Sequence, residues 1–253
     1  MKIKKIFALL TLLLGIGAMI YASVQMAEAE QIYKEGSAVY EGLNNRVKEH
    51  TAAAEEQTTA KEKIYIPELG INFDTLKTVS ENAAAWLYCP DTEIDYPIMK
   101  ADDYNYYLTH LPDGTPNANG SLFIDFNCAP DFTDPLTVIY GHNMKSKMMF
   151  GSLVEYKNQK YYDEHPFMYL YTEEANYRIE LLYGCVIGAG QWRERAFMYK
   201  ENAGALIAYA AHSTTFESDA LYSEGDRIAA MSTCSYEFED ARYVVIGILR
   251  EAY

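Results

Sequence analysis

Basic residues are scarce in this 253-residue chain: 21 lysines and arginines stand against 36 aspartates and glutamates, a net charge of −15. So acidic a surface repels phosphate backbones, which argues against nucleic acid as a partner. Tryptophan is down to two copies. The four cysteines, Cys89, Cys128, Cys185 and Cys234, are 39, 57 and 49 residues apart with no C-x-x-C among them, so a zinc site has little support. No D-x-D-x-D-G run offers calcium ligands; no metal site and no cofactor are expected. Internal repeats and low-complexity segments are also missing. Tyrosine, in contrast, is plentiful at 23 copies, and it suits a pleated, half-buried surface. Hydrophobic residues at 49% and charged residues at 23% are those of a globular domain rather than a disordered or fibrous chain.

The N-terminus carries Lys2, Lys4 and Lys5, and then the 19 residues Ile6 to Val24 hold no charge. That length crosses a hydrocarbon core as a helix. With lysines before it and acids from Glu28 onward, residues 1–5 are expected in the cytoplasm, 6–24 as a signal-anchor in the cell membrane, and the remainder outside. A cleaved signal peptide is the competing reading, because Ala27-Glu28-Ala29 has small-x-small form. No cysteine follows the run closely, so a lipoprotein is not expected. Outside the cell two disulfides could form, or the cysteines could be buried small hydrophobes.

Residues 25–63 are polar, proline-free and rich in alanine and glutamate, with good helix propensity and few apolar positions. They read as a helical stalk or a loosely packed helix pair. From Ile64 short β-type runs begin: 86–89, 94–100, 121–126, 136–141, 168–172, 177–187, 227–233 and 243–249, separated by turn clusters such as Pro112-Asp-Gly114. About eight strands with few long helices predict an antiparallel barrel or sandwich. The main helical insert is predicted at 202–212, inside a long stretch from Ala189 to Asp226, and long loops often carry function.

The last 28 residues hold the strongest chemical signal. One strand ends at Cys234, seven residues follow, and a second strand starts at Arg242. So short a connection makes antiparallel neighbours and sets the thiol beside the guanidinium. Alternation puts Ser232 on the same face as Cys234. A cation near a thiol favours thiolate, and a guanidinium can donate to a developing oxyanion. The proton donor for a leaving amine is best sought at His142, which ends the run Leu136 to Gly141; His50, His110, His165 and His212 read as surface or packing histidines.

In order and spacing these residues resemble the sortases, cysteine transpeptidases of Gram-positive cell surfaces. The family's T-L-x-T-C signature, followed by arginine, stands here as Ala230-Met231-Ser232-Thr233-Cys234 and Arg242; Met231 is a conservative exchange and Ala230 a departure outside the reacting residues. The histidine motif matches Tyr140-Gly141-His142-Asn143-Met144. Asn72 to Thr78 and Ala85 to Pro97 look like the first strands of class B, and Tyr106 to His110, Gly120 to Phe126 and Met149 to Gly151 continue the match. The resemblance implies a mainly β fold over 64–253, a closed eight-stranded barrel with N-terminal helices and a helix in the long loop before the cysteine strand.

It also implies a two-step reaction. Cys234 would attack a threonyl carbonyl in the C-terminal sorting signal of a surface protein, His142 would protonate the departing amine, and Arg242 would steady the oxyanion. A peptidoglycan-precursor amine would then resolve the thioester. Ser232 and Thr233 would line the groove, and Leu108 would add an apolar contact. Among rivals, a C-x5-R phosphatase fails because position 240 is aspartate. An L,D-transpeptidase would want Gly-Cys-x-Arg. A cysteine peptidase would share cysteine and histidine, and a non-enzymatic, tyrosine-rich surface-binding module would not need the thiol.

Overall fold

The computed structural model describes residues 2–48, 64–198 and 203–252, and in it eight strands close into one barrel. They are β1 (Ala83–Tyr88), β2 (Asp95–Lys100), β3 (Leu122–Ile124), β4 (Leu136–Tyr140), β5 (Phe167–Tyr171), β6 (Asn176–Gly188), β7 (Ile228–Cys234) and β8 (Ala241–Glu251). Around the barrel the order is β1-β2-β3-β4-β7-β8-β6-β5, with β5 returning to β1. The β2–β3 and β4–β7 pairs are parallel and the others antiparallel. Closure leaves no open sheet edge. The eight-stranded barrel expected from the sequence is therefore the fold, as a mixed sheet rather than a purely antiparallel one.

Alternation decides which side chains fill it. In β2, Tyr96 and Ile98 join a cluster with members from all eight strands, while Met99 faces a second cluster outside β1–β3. β6 alternates buried with half-buried positions along most of its length. β8 is buried almost throughout from Ala241 to Leu249, because its outer face is also covered. A strand buried on both faces reads as the continuous apolar run Tyr243 to Leu249 does.

The second cluster lies under two helices, α1 (Lys2–Val47) and α2 (Phe73–Val79). Leu43 and Val47 of α1 and Leu76 of α2 are fully buried there against Trp86, Met99 and Phe123. Burying each such side chain is worth about 1.5–3 kcal/mol. Part of the segment read as a stalk thus docks on the barrel wall. Its few apolar positions, Tyr40, Leu43 and Val47, recur at helical spacing and are enough to seat one face. The rest of that segment, 49–63 with His50, lies outside the described residues. By contrast, Phe7, Leu12, Ile20 and Val24 are exposed, and α1 is long and apolar enough to cross a membrane.

One expectation is corrected. Asn72 to Thr78 reads by resemblance as part of the first strands, but it forms α2. Asn72 caps that helix by accepting from Thr75 N (2.8 Å), and Asp74 sits favourably in the first turn. The stretch after β6 holds two helices instead of one, α4 (Ala189–Met198) and α5 (Ala203–Ala211), with α3 (Gln159–Glu164) earlier in the chain.

Candidate active site

The ends of β4 and β7 and the start of β8 meet at one rim of the barrel. Cys234 is the register partner of Arg242 across β7–β8, and Arg242 is in turn paired with Ile187 of β6. Residues directly opposite on antiparallel strands have Cβ atoms about 4.5–5.5 Å apart and share a face. Backbone pairing therefore sets the Cβ atoms of Cys234 and Arg242 side by side on one face. Arg242 Nη1 donates to its neighbour's carbonyl, Ala241 O, at 3.0 Å. No carboxylate among the described residues forms an ion pair with it, so its remaining N–H groups stay available.

His142 arrives from β4. Tyr140 pairs with Ser232, and the ladder continues one step beyond the strand as Gly141 N donates to Ser232 O (3.3 Å). Thr233 Oγ1 donates to Gly141 O (2.7 Å), and Asn143 Nδ2 donates to Cys234 O (2.8 Å). Gly141 is needed at this crossing: an added Cβ would stand 2.8 Å from Phe150 Cδ2 and closer still to Leu122 Cδ2. The imidazole is fixed from the other side, where Nε2 donates to Leu108 O at 2.7 Å. A carbonyl only accepts, so Nε2 carries the hydrogen and Nδ1 is the nitrogen left for proton exchange.

Cys234, His142, Arg242, Ser232, Thr233 and Leu108 all line one cleft of about 170 Å³. Thr233 is buried with its hydroxyl engaged by Gly141, while Ser232 Oγ is buried with no partner among the described residues. Leu108 lies in a 3-10 turn, Tyr106–Leu108, and its carbonyl holds the histidine in addition to the apolar contact expected of it.

All four cysteines are free, and Cys234 alone among them is not buried. Burial pushes the Cys89 and Cys185 thiols up to about 11, which keeps them protonated and inert. The other described histidines are engaged locally: His110 stacks on Tyr106, His165 packs on Tyr161, and His212 Nδ1 meets Ala208 O at 2.7 Å.

Several residues in or behind the cleft were not singled out from the sequence. Asn143 follows the histidine within the quoted motif, and its side chain ties the cysteine's carbonyl to the histidine strand. Tyr140 donates to the buried Asp125 carboxylate (2.8 Å); burial first, then that carboxylate, holds the phenol far above its ordinary range, so it stays a neutral donor. Trp192 on α4 forms a buried wall, its indole N–H without a partner among the described residues. Arg193 places its guanidinium 5.1 Å over the Tyr104 ring at the cleft's edge. Only the length of the 189–226 stretch hinted at the α4 residues.

The closed mixed barrel, with a cysteine, an arginine and a histidine lining one cleft at its rim, has the form of a sortase-like fold. No protein-family model matches the chain. It is 29% identical over 221 residues to sortase B of Listeria monocytogenes, covering 86% of this chain and 89% of that one. To sortase B of Staphylococcus aureus it is 21% identical over 178 residues, 69% of this chain and 73% of the relative. The solved sortase B of Clostridium perfringens superimposes with a TM-score of 0.65 at 26% identity, over 70% of this chain and 99% of that one. Fold and relatives together support a class B sortase.

Proposed function

We propose that the chain cleaves the C-terminal sorting signal of surface proteins at a threonyl carbonyl and transfers the acyl group to a peptidoglycan amine. The observation that carries this reading is the cross-strand pairing of Cys234 with Arg242 in the cleft that also holds His142. The thiol proton passes to His142, and the sulfur attacks the carbonyl carbon. The C–N bond breaks, and the amine leaves with the proton from His142. Arg242 donates to the oxyanion while charge develops on it. The acceptor amine then attacks the thioester, gives its proton to His142, and the thiol is restored. Ser232 Oγ and Trp192 Nε1 are the buried polar groups left to pair with the substrate's backbone. A sortase B of Staphylococcus aureus with the same fold is known as a substrate complex, in keeping with a peptide in this cleft. The exposed apolar stretch of α1 fits a membrane anchor with the barrel outside the cell.

The test incubates the full chain with C-terminal sorting-signal peptides from the host's own proteins and a cell-wall stem-peptide amine. A thioester on Cys234, detected by intact mass and missing in Cys234→Ala, followed by an amide product, is the expected result. Release of free acid alone would make the protein a cysteine peptidase. Peptide binding without thioester or product in the wild type, unchanged in Cys234→Ala, would leave only a binding module.

A further inference from the structure

The Leu108 carbonyl that holds His142 belongs to a folded-over loop, residues 105–121. Its inner limb is the 3-10 turn Tyr106–Leu108 with His110, and its outer limb is 115–121. The limbs are laced together: Ser121 N donates to Tyr107 O (2.7 Å), Asn117 N to Thr109 O (2.9 Å), and Ser121 Oγ to His110 O (2.9 Å). Gly120 sits at φ +61°, where an added Cβ would come within 2.6 Å of Tyr107 O and 2.9 Å of Leu108 O. The outer limb thus runs so close to the carbonyl that the histidine uses that only glycine fits between them.

Helix α1 grips that outer limb. The buried Tyr40 hydroxyl donates to Gly120 O at 2.5 Å and lies 3.1 Å from Ser121 Oγ. Asn117 Nδ2 donates to Ile32 O (2.9 Å) and the buried Asn119 Nδ2 to Tyr33 O (3.2 Å). At Gly36 the helix comes so near that an added Cβ would meet Asn117 Oδ1 at 2.6 Å. The path from helix to imidazole is contiguous: Tyr40, Gly120 and Ser121, Tyr107 and Leu108, His142.

We propose that Tyr40 is a positioning residue for His142, through which docking of α1 holds the imidazole in its working orientation. The inference rests on the reading of His142 as the proton carrier. It makes the helix that carries the apolar run part of the catalytic scaffold as well as a tether. Ile32 lies only eight positions after Val24, about 12 Å of helix, so the grip begins close to the end of the apolar run.

The experiment compares the full-length chain in detergent micelles with Tyr40→Phe and Asn119→Ala, and with Lys34→Ala on the exposed side of α1 as control. Tyr40→Phe keeps the ring that packs edge-on to Tyr96 at 5.0 Å, so the fold stays in place. Two readouts are taken: kcat and KM for acylation by a sorting-signal peptide, and the ring ¹⁵N signals of His142 in histidine-labelled protein. Expected for Tyr40→Phe is a fall in kcat of about tenfold with KM within about twofold, inside the roughly 100-fold that a 1 Å misplacement costs. The ¹⁵N pattern should shift from one tautomer, protonated at Nε2, to a mixture. Asn119→Ala should follow in the same direction, and Lys34→Ala should match wild type. Unchanged kcat and an unchanged tautomer in Tyr40→Phe, or a rise in KM alone, would overturn the proposal. Activity surviving in Cys234→Ala or His142→Ala would instead sink the underlying reading, so the two failures are separable.

Discussion

Gly141→Ala is the sharpest test of how the cleft is built. The new methyl group would lie 2.8 Å from Phe150 Cδ2 and nearer to Leu122 Cδ2. Carbon atoms prefer about 3.5–4.0 Å, so something must yield by about 1 Å. Leu122 and Phe150 are both fully buried and cannot swing into solvent. If they give way, overpacking costs about 1–3 kcal/mol. Each kcal/mol moves Tm by about 2–4 °C in a domain of this size, so the expected fall is about 2–12 °C. If the backbone yields instead, Gly141 O leaves Thr233 and His142 moves with it, and the acylation rate drops by up to about 100-fold. Calorimetry and single-turnover thioester formation by intact mass read the two routes separately. Adding Leu122→Ala should restore part of the lost rate, since it clears the nearest contact, although that truncation itself costs about 2–5 kcal/mol. A Gly141→Ala protein with wild-type melting and wild-type acylation would refute the packing argument.

Other outcomes follow from the same geometry. At pH 8 iodoacetamide should add one label quickly, at Cys234, because Cys128 is buried and burial holds Cys89 and Cys185 at about 11; a second fast label, or one persisting in Cys234→Ala, would contradict this. Thr233→Val leaves the buried Gly141 carbonyl unpaired and should cost about 1–3 kcal/mol in a denaturant melt, with slower acylation. Beyond the cysteine, burial would raise the Glu237 carboxyl, but hydrogen bonds from Lys157 and Ser235 outweigh it and hold the group below its ordinary value. A depressed carboxylate stabilises above its unfolded value of about 4.3 and loses that contribution as pH falls through the lower folded value. Melting curves of wild type and Lys157→Met should therefore differ at pH 7 and converge towards pH 3; a gap that stays constant with pH would count against the pair.

Much of the architecture was legible because it rests on local pattern. Each of the eight apolar runs became a strand, since period-two alternation and turn residues are short-range signals. The Cys234–Arg242 neighbourhood was legible for a related reason: seven intervening residues permit little except a return alongside the same strand. Asn72 to Thr78 went the other way. Resemblance pointed to a strand there, while the capping asparagine and the acid two residues on were local helix signals that went unread. The docking of α1 could not be foreseen from its sparse apolar residues, because burial of Tyr40, Leu43 and Val47 depends on a wall made from residues tens of positions away.

Chain order alone settled the strand inventory and the pairing of Cys234 with Arg242, because these depend on residues close together along the backbone. Folding in three dimensions decided the parallel β4–β7 seam that brings His142 to the same rim, the Leu108 carbonyl that selects its tautomer, and the helix braced behind that carbonyl. Each joins segments 34 to 92 residues apart, and only closure of the barrel sets their spacing.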